Sequence, residues 1–338
     1  MPRSPDIADT SEDGAAEHPF TPFVRTLGRG PGRSRALTRE EARTALRMVL
    51  REEADPHQVG AFLMLLRYRG EDPQEMAGLV EAAREAAGCR GACHVAVDLD
   101  WPSYGAGRTR TAPWFLLAAL ALAQAGHRVL MHGSNAFSSG VPVTEALALL
   151  GLRPATDRDG AARMLDATGF AYLPLAALNP GVDRLLGLRA LLGLRSPINT
   201  VSRLLDPFDA RAGVDGVFHP PYIALHLAVA AELGRPRLLV VKGGSGEAER
   251  TPLKTVTAHL HENGSARQEM ELPAMLAGPA RPAAADEFLA VWRGDAGGVG
   301  LATALATLAL GLLALGEAAT PAEADARALD IWHERVVR

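Results

Sequence analysis

The stretch His94-Val-Ala-Val-Asp-Leu-Asp100, with Trp101-Pro-Ser-Tyr-Gly-Ala-Gly-Arg-Thr-Arg-Thr-Ala-Pro113 and Trp114-Phe-Leu-Leu-Ala-Ala-Leu-Ala-Leu-Ala-Gln-Ala-Gly126 after it, decides the fold. The first part alternates apolar and polar residues as a strand does, the second is a glycine-bearing loop, and residues 115–125 form an apolar helix closed by Gly126. Strand, loop and helix in that order is the repeating unit of a parallel sheet covered on both faces. The unit recurs downstream. Residues 128–131 read as a strand ending in His132-Gly-Ser134 and leading to a helix over 143–150, and residues 236–241 read as a strand ending in Lys242-Gly-Gly-Ser-Gly246. Ligands of such sheets bind beyond the carboxyl ends of the strands, where these loops converge.

Upstream the texture is helical. Thr38-Arg-Glu-Glu41 is a capping box, and the helix it opens buries Ala42, Ala45, Leu46, Val49 and Leu50. Asp55-Pro56 starts a second helix with a stripe through Val59, Phe62, Leu63 and Leu66, and Asp72-Pro73 a third with Met76, Leu79, Val80 and Ala83. The leucine- and arginine-rich piece LNPGVDRLLGLRALLGLRSPINTVSRL interrupts the later alternation and returns to this lobe. The expected organisation is a disordered acidic tail over 1–20, a helical lobe over 21–92 joined by 176–205, and an α/β lobe over 93–175 and 206–335 with a mostly parallel central sheet.

With 338 residues, 48% of them apolar, the chain can bury a substantial core. A formal net charge of -4 argues against a surface that coats nucleic acid as a whole and leaves a local basic groove open. Only Cys89 and Cys93 occur, which fits a reducing compartment and points to a cytoplasmic protein. Cys89, Cys93 and His94 are set aside as a metal site because no second cysteine pair follows. The apolar run over 301–316 is shorter than the roughly 20 residues of a membrane span and is rich in alanine and glycine, as a packed core helix is.

The loop after the first strand carries Gly105, Gly107, Arg108 and Arg110 but no carboxylate. Arginine grips phosphate by a bidentate fork without a metal. Further cations expected at the same cleft are Arg189, Arg195 and Arg203 from the inserted helices and Lys242, Arg250 and Lys254 from the last loop, opposed by Glu247 and Glu249. A second basic run, Arg25, Arg29, Arg33, Arg35, Arg39 and Arg43, precedes and enters the first expected helix. Solvated surface charge is the alternative for each of these groups. His132 is either a donor to substrate or phosphate or a satisfied structural histidine.

Three stretches in order resemble the anthranilate phosphoribosyltransferases and pyrimidine nucleoside phosphorylases: His132-Gly133 with Glu145-Ala-Leu-Ala-Leu-Leu-Gly151, Arg189-Ala-Leu-Leu-Gly-Leu-Arg-Ser-Pro-Ile-Asn199, and Gly216-Val-Phe-His-Pro220 with the strand into Lys242-Gly243. The resemblance covers about residues 22–320 and implies a helical lobe beside an α/β lobe with substrates between them. Separately, the leucine-rich surface of Leu185, Leu186, Leu188 and Leu191 predicts a homodimer through the helical lobe. The family's Gly-Thr-Gly-Gly-Asp loop reads Pro102-Ser-Tyr-Gly-Ala-Gly-Arg108 here, its Asn-x-Ser-Thr turn has become apolar, its Lys-His-Gly-Asn segment reads Met131-His-Gly-Ser134, and its magnesium-holding Asp-Glu pair leaves only Glu247 and Glu249. These departures are similar to the divergent YbiB-type branch, for which the resemblance implies nucleic-acid binding, no cofactor and a degenerate pyrophosphate site. The alternative is an active glycosyl or phosphoribosyl transferase in which His132, Ser134 and Arg189 place an acceptor, Glu247 or Glu249 holds Mg2+, and phosphoribosyl pyrophosphate is the donor. A small-anion or protein-interaction role is the third possibility.

Overall fold

The computed structural model describes residues 17–89, 95–105, 112–136, 140–263, 267–277 and 285–337. Its helical lobe opens with α1 (Thr21–Gly28), a helix the sequence reading did not anticipate. Phe20, at the end of the expected tail, is fully buried and meets the rings of Phe23 and Phe62 edge-on at 5.5 and 5.3 Å, so the packed lobe begins before residue 21. In α2 (Arg39–Leu50) the capping box forms as written: Thr38 Oγ1 accepts from Glu41 N–H at 3.3 Å, and Glu41 Oε2 accepts from Thr38 N–H at 2.8 Å. Asp55 caps α3 (Pro56–Arg69) and Asp72 caps α4 (Pro73–Ala86), each with proline in the first turn. Each such cap contributes about 1 kcal/mol.

The α/β part follows as β1 (Leu99–Ser103), α5 (Trp114–Gln124), β2 (Val129–Gly133), α6 (Val143–Leu149), α7 (Arg158–Thr168) and β3 (Phe170–Pro174). Four short helices then intervene: α8 (Leu175–Leu178), α9 (Pro180–Gly187), α10 (Arg189–Leu192) and α11 (Ile198–Arg203), the last packed on α4 and α9. After them come β4 (Ala212–Val217), α12 (Pro221–Glu232), β5 (Arg237–Lys242), β6 (Val256–Glu262), β7 (Gln268–Leu272), α13 (Phe288–Arg293), α14 (Gly298–Leu315) and α15 (Pro321–Glu334). β1 starts later than the alternation of residues 94–100 implied. The sheet settles that register, because Leu99 to Ser103 pair with Val129 to Gly133 of β2. The hairpin of β6 and β7 was missed, although Val256, Ala258 and Leu260 alternate inward along β6.

Strand order is β3-β2-β1-β4-β5-β6-β7, parallel up to β5 and antiparallel beyond. One face packs on the helical lobe, α11 and α12, and the other on α5, α14 and α15. α14 is long and apolar enough to cross a membrane, but it is mostly buried here against α5 and α15. Gly311 allows the approach, since a Cβ there would press on Leu122. The chain winds outward from β1 through β2 to β3, then returns to lay β4 on the other side of β1. The crevice at that reversal, between the carboxyl ends of β1 and β4, is where open α/β sheets bind ligands. Beneath it, Arg235 ties the connections together, with Nη2 3.0 Å from Asp100 Oδ2 and Nε 3.3 Å from Asp206 Oδ2, all three side chains buried.

Candidate functional site

The loop leaving β1 is held by the loop leaving β5. Gly105 N–H donates to Glu247 Oε1 at 2.6 Å, and Ser103 Oγ donates to the same oxygen at 3.2 Å. Glycine makes the approach possible, because a Cβ on Gly216 or Gly243 would collide with the backbone of Glu247. Beside it, burial raises the Tyr104 pKa well above the usual phenol value, so the hydroxyl stays protonated, and its oxygen lies in hydrogen-bond contact with His132 Nδ1 at 2.8 Å. The other ring nitrogen, Nε2, lies 3.2 Å from Asp100 Oδ1. Burial alone would raise the Asp100 pKa, but His132 and Arg235 outweigh it and hold it below the ordinary carboxylate value. His132 is fully buried in this chain, between Tyr104 and Asp100.

A concentration of arginine lies next to this network. Arg203 is buried with its guanidinium 5.9 Å from the Tyr104 ring, donating to the carbonyls of Gly216, Asn199 and Gly246 at 3.2, 3.0 and 3.2 Å. Arg195 is half-buried over the Phe218 ring and makes no hydrogen bond or ion pair among the described residues. Burial lowers its pKa, and the positive charges of Arg189, Arg203 and Arg67 lower it further. Arg67 arrives from α3, shares Tyr222 Oη with Glu71 and stands 3.4 Å from that carboxylate. His226 is buried with Nδ1 2.7 Å from Asp215 Oδ2. Arg67, Arg195, Arg203, His219, Tyr222 and His226 all face one small cavity at the end of β4, between the lobes.

Not every expected residue reaches this place. Gly107, Arg108 and Arg110 lie outside the described residues, as do Cys93 and His94. Gly105, His132 and Gly133 meet at the ends of β1 and β2, where a Cβ on Gly133 would strike the Ser103 carbonyl. Ser134 accepts from Ala136 N–H at 3.3 Å and hydrogen-bonds Asp183, whose pKa burial raises against that bond. Arg189 stands close enough to Arg195 to act on its charge, and Lys242 and Lys254 are exposed. Arg250 does not join them. It is fully buried, 2.6 Å from Asp325 Oδ1 of α15 and 2.7 Å from the Pro273 carbonyl, and its backbone N–H donates to Thr307 Oγ1 of α14 at 3.1 Å, so the fold commits it internally. Glu249 Oε2 accepts from Phe115 N–H at 3.1 Å at the start of α5.

The basic run of the helical lobe is largely neutralised. Arg25 pairs with Glu17, Arg35 with Glu41, Arg39 with Glu81, and Arg43 with Glu85, leaving only Arg29 and Arg33 without a carboxylate among the described residues. Of the leucines expected on a dimer surface, Leu185 and Leu186 are instead buried within the lobe, packed in its core, and Leu188 is half-buried; Leu191 is 81% exposed, beside Leu194 at 60%. Sequence reasoning missed Arg67, Tyr222 and the Asp215–His226 pair. No local motif marks them, since α3 and the turn after β4 meet only through the fold.

An open sheet with a ligand crevice at its β1/β4 reversal, closed over by a helical bundle, is the architecture of a two-domain glycosyl transferase. The family's helical bundle domain matches residues 21–87 and its a/b domain matches residues 105–333, and this chain belongs to that glycosyl transferase family. Similar relatives include the anthranilate phosphoribosyltransferase of Methylobacterium sp. (strain 4-46), 32% identical over 250 residues that cover 73% of this chain and 72% of the relative. That of Moorella thermoacetica is 31% identical over 215 residues, covering 64% and 63%. The fold is shared with the anthranilate phosphoribosyltransferase of Thermus thermophilus, at TM-score 0.75, 24% identity and 94% coverage of both chains. It is shared too with that of Saccharomyces cerevisiae in complex with PRPP and Mg, at TM-score 0.73, 15% identity and 93% coverage of both.

Proposed function

We propose that this phosphoribosyltransferase-type chain binds the phosphate backbone of nucleic acid in its interlobe cleft, and that its β1–α5 loop no longer takes up a sugar diphosphate. The observation that carries the reading is the set of guanidinium groups, Arg67, Arg195 and Arg203, facing one cavity between the lobes, while the Glu247 carboxylate seated on Gly105 N–H and Ser103 Oγ argues against a sugar diphosphate in the loop. A phosphate entering that loop needs the same donors and meets a fixed negative charge there. Glu247 and Glu249, the two acidic residues available to a magnesium ion in this loop, accept hydrogen bonds from the backbone of different segments, Gly105 and Phe115. Magnesium therefore enters no step of this reading. Positive charge comes instead from Arg195, Arg203, Arg67 and the exposed Lys242 and Lys254, with Arg108 and Arg110 of the loop as further contributors. Contacts of this kind give affinity with little base readout. The reading places the chain in the YbiB-type branch, in the cytoplasm, as a homodimer joined through the helical lobe near Leu191 and Leu194.

A second reading, transfer of a phosphoribosyl group to an aromatic or base acceptor, is favoured by the 32% identity to an anthranilate phosphoribosyltransferase over 72% of its length. Two titrations separate the readings. One uses short duplex and single-stranded DNA at low salt, and the other phosphoribosyl pyrophosphate with Mg2+. Micromolar, magnesium-dependent binding of the sugar diphosphate with turnover of an acceptor overturns the nucleic-acid reading; salt-sensitive DNA binding without such turnover supports it.

A further inference from the structure

We propose that the cavity at the end of β4 is a binding site for a single phosphate group, supplied either as free phosphate or as the terminal phosphate of a phosphorylated chain. Size limits the ligand first. The cavity offers about 60 Å³, and a single water takes up about 10–15 Å³ of such space, so it has room for a tetrahedral anion or a few waters. Charge sets its sign. Arg67, Arg195 and Arg203 line the space, and the nearby carboxylates are already engaged: Glu71 by Arg67 and Tyr222, Asp215 by His226.

Arg195 is the decisive group. It is held half out of solvent beside three other guanidinium groups, with no acceptor of its own among the described residues. Folding alone gains nothing from such an arrangement, whereas a dianion would turn the repulsion into attraction and accept the bidentate fork that guanidinium presents. With Nδ1 of His226 given to Asp215, Nε2 is the one uncommitted nitrogen of that ring. The donors come from both sides of the crevice: Arg67 from α3, Arg195 from the turn before α11, His219 and His226 from the β4–α12 segment. A phosphate here would cross-link the helical lobe to the sheet. The inference rests on the proposed function only for the second of its two sources.

The test uses the full chain and inorganic phosphate, measured by calorimetric titration and by thermal unfolding at constant ionic strength with chloride as the control. Wild type should gain thermal stability with phosphate and not with chloride, since a ligand that binds only the folded state stabilises it. Arg195→Gln should bind phosphate at least tenfold more weakly, yet be no less stable than wild type without it, because a repulsive charge has gone. That second readout confirms folding. Arg67→Gln should also weaken binding from the opposite lobe. No phosphate-specific stabilisation of wild type, or an undiminished response in Arg195→Gln, overturns the proposal. Oligonucleotides of one sequence with a 5′-phosphate or a 5′-hydroxyl then separate the sources. A preference for the phosphorylated end that disappears in Arg195→Gln assigns the site to a chain terminus, and equal binding of both, with phosphate still bound, assigns it to a free phosphate. Phosphate binding with no DNA binding upholds the site and sinks only the nucleic-acid reading.

Discussion

Glu247→Gln discriminates most sharply between a closed diphosphate loop and a working one. Glutamine keeps the shape and a carbonyl oxygen able to accept from Gly105 N–H and Ser103 Oγ, so the loop stays in place while its charge is removed. Replacing a charge-assisted acceptor by a neutral one costs about 1 kcal/mol, which lowers the melting temperature of a chain this long by about 2 °C. Anion affinity moves the other way. A phosphate charge held roughly 6 Å from the carboxylate at an effective dielectric constant of about 20 is repelled by about 2.8 kcal/mol, equivalent to about a hundredfold in affinity. Solvent in the cleft reduces this, and a gain of about tenfold is the expected floor. Arg203, which feels the Glu247 charge, adds to the gain once it is no longer offset. Fluorescence anisotropy with labelled duplex and single strand, in parallel with phosphoribosyl pyrophosphate plus Mg2+, reads the outcome. Unchanged or weaker DNA binding in the variant refutes the argument that this carboxylate competes with phosphate. Magnesium-dependent turnover in wild type that is lost in Glu247→Gln identifies the carboxylate as part of a working metal site.

Arg108→Ala with Arg110→Ala should weaken DNA binding alike for unrelated sequences and reduce the log-log salt slope by about 0.7 to 0.9 per lost contact, with thermal stability nearly unchanged; an unaltered slope returns both arginines to solvated surface. Arg235→Met strips the buried Asp100 and Asp206 of their partner and should cost about 3–5 kcal/mol in urea unfolding, a loss under about 1 kcal/mol showing that the cluster does not depend on it. The Arg35 guanidinium and the Thr38 N–H lower the Glu41 pKa to about 2, below its unfolded value, so its contribution is present above about pH 4.3 and disappears as pH falls toward about 2. Glu41→Gln should therefore cost up to about 1 kcal/mol near neutral pH, since the pair is partly exposed, and the gap from wild type should narrow below about pH 4.3 and close only near pH 2. Leu191→Asp with Leu194→Asp should shift sedimentation from dimer to monomer without loss of fold; a wild-type monomer at high micromolar concentration rejects the dimer.

Local chemistry explains what could be read without coordinates. Thr38 with Glu41, Asp55-Pro56 and Asp72-Pro73 each close a helix end within four residues, and the apolar strands that stop at Gly133 and Lys242 carry their own period and punctuation. From these follow the helical lobe, the parallel sheet and the expectation of a ligand at the strand ends. Even the end of β1 was legible as a loop, although its register needed β2. Charge partners were not legible, because they are set by residues far apart in sequence. Arg39 and Arg43 meet Glu81 and Glu85 on the facing helix, Arg250 meets Asp325, and so most of an apparently basic surface is paired or buried. Glu247 reads as a potential metal ligand in sequence, and only the contact between the β5 and β1 loops turns it onto Gly105 N–H. Arg195 is the reverse case: one arginine among many in the sequence, it is distinguished by a fold that surrounds it with Arg67, Arg189 and Arg203 and gives it no carboxylate among the described residues. A helix or strand is specified by neighbours along the chain, whereas the sign and strength of a binding site depend on which distant charges the folded chain sets side by side.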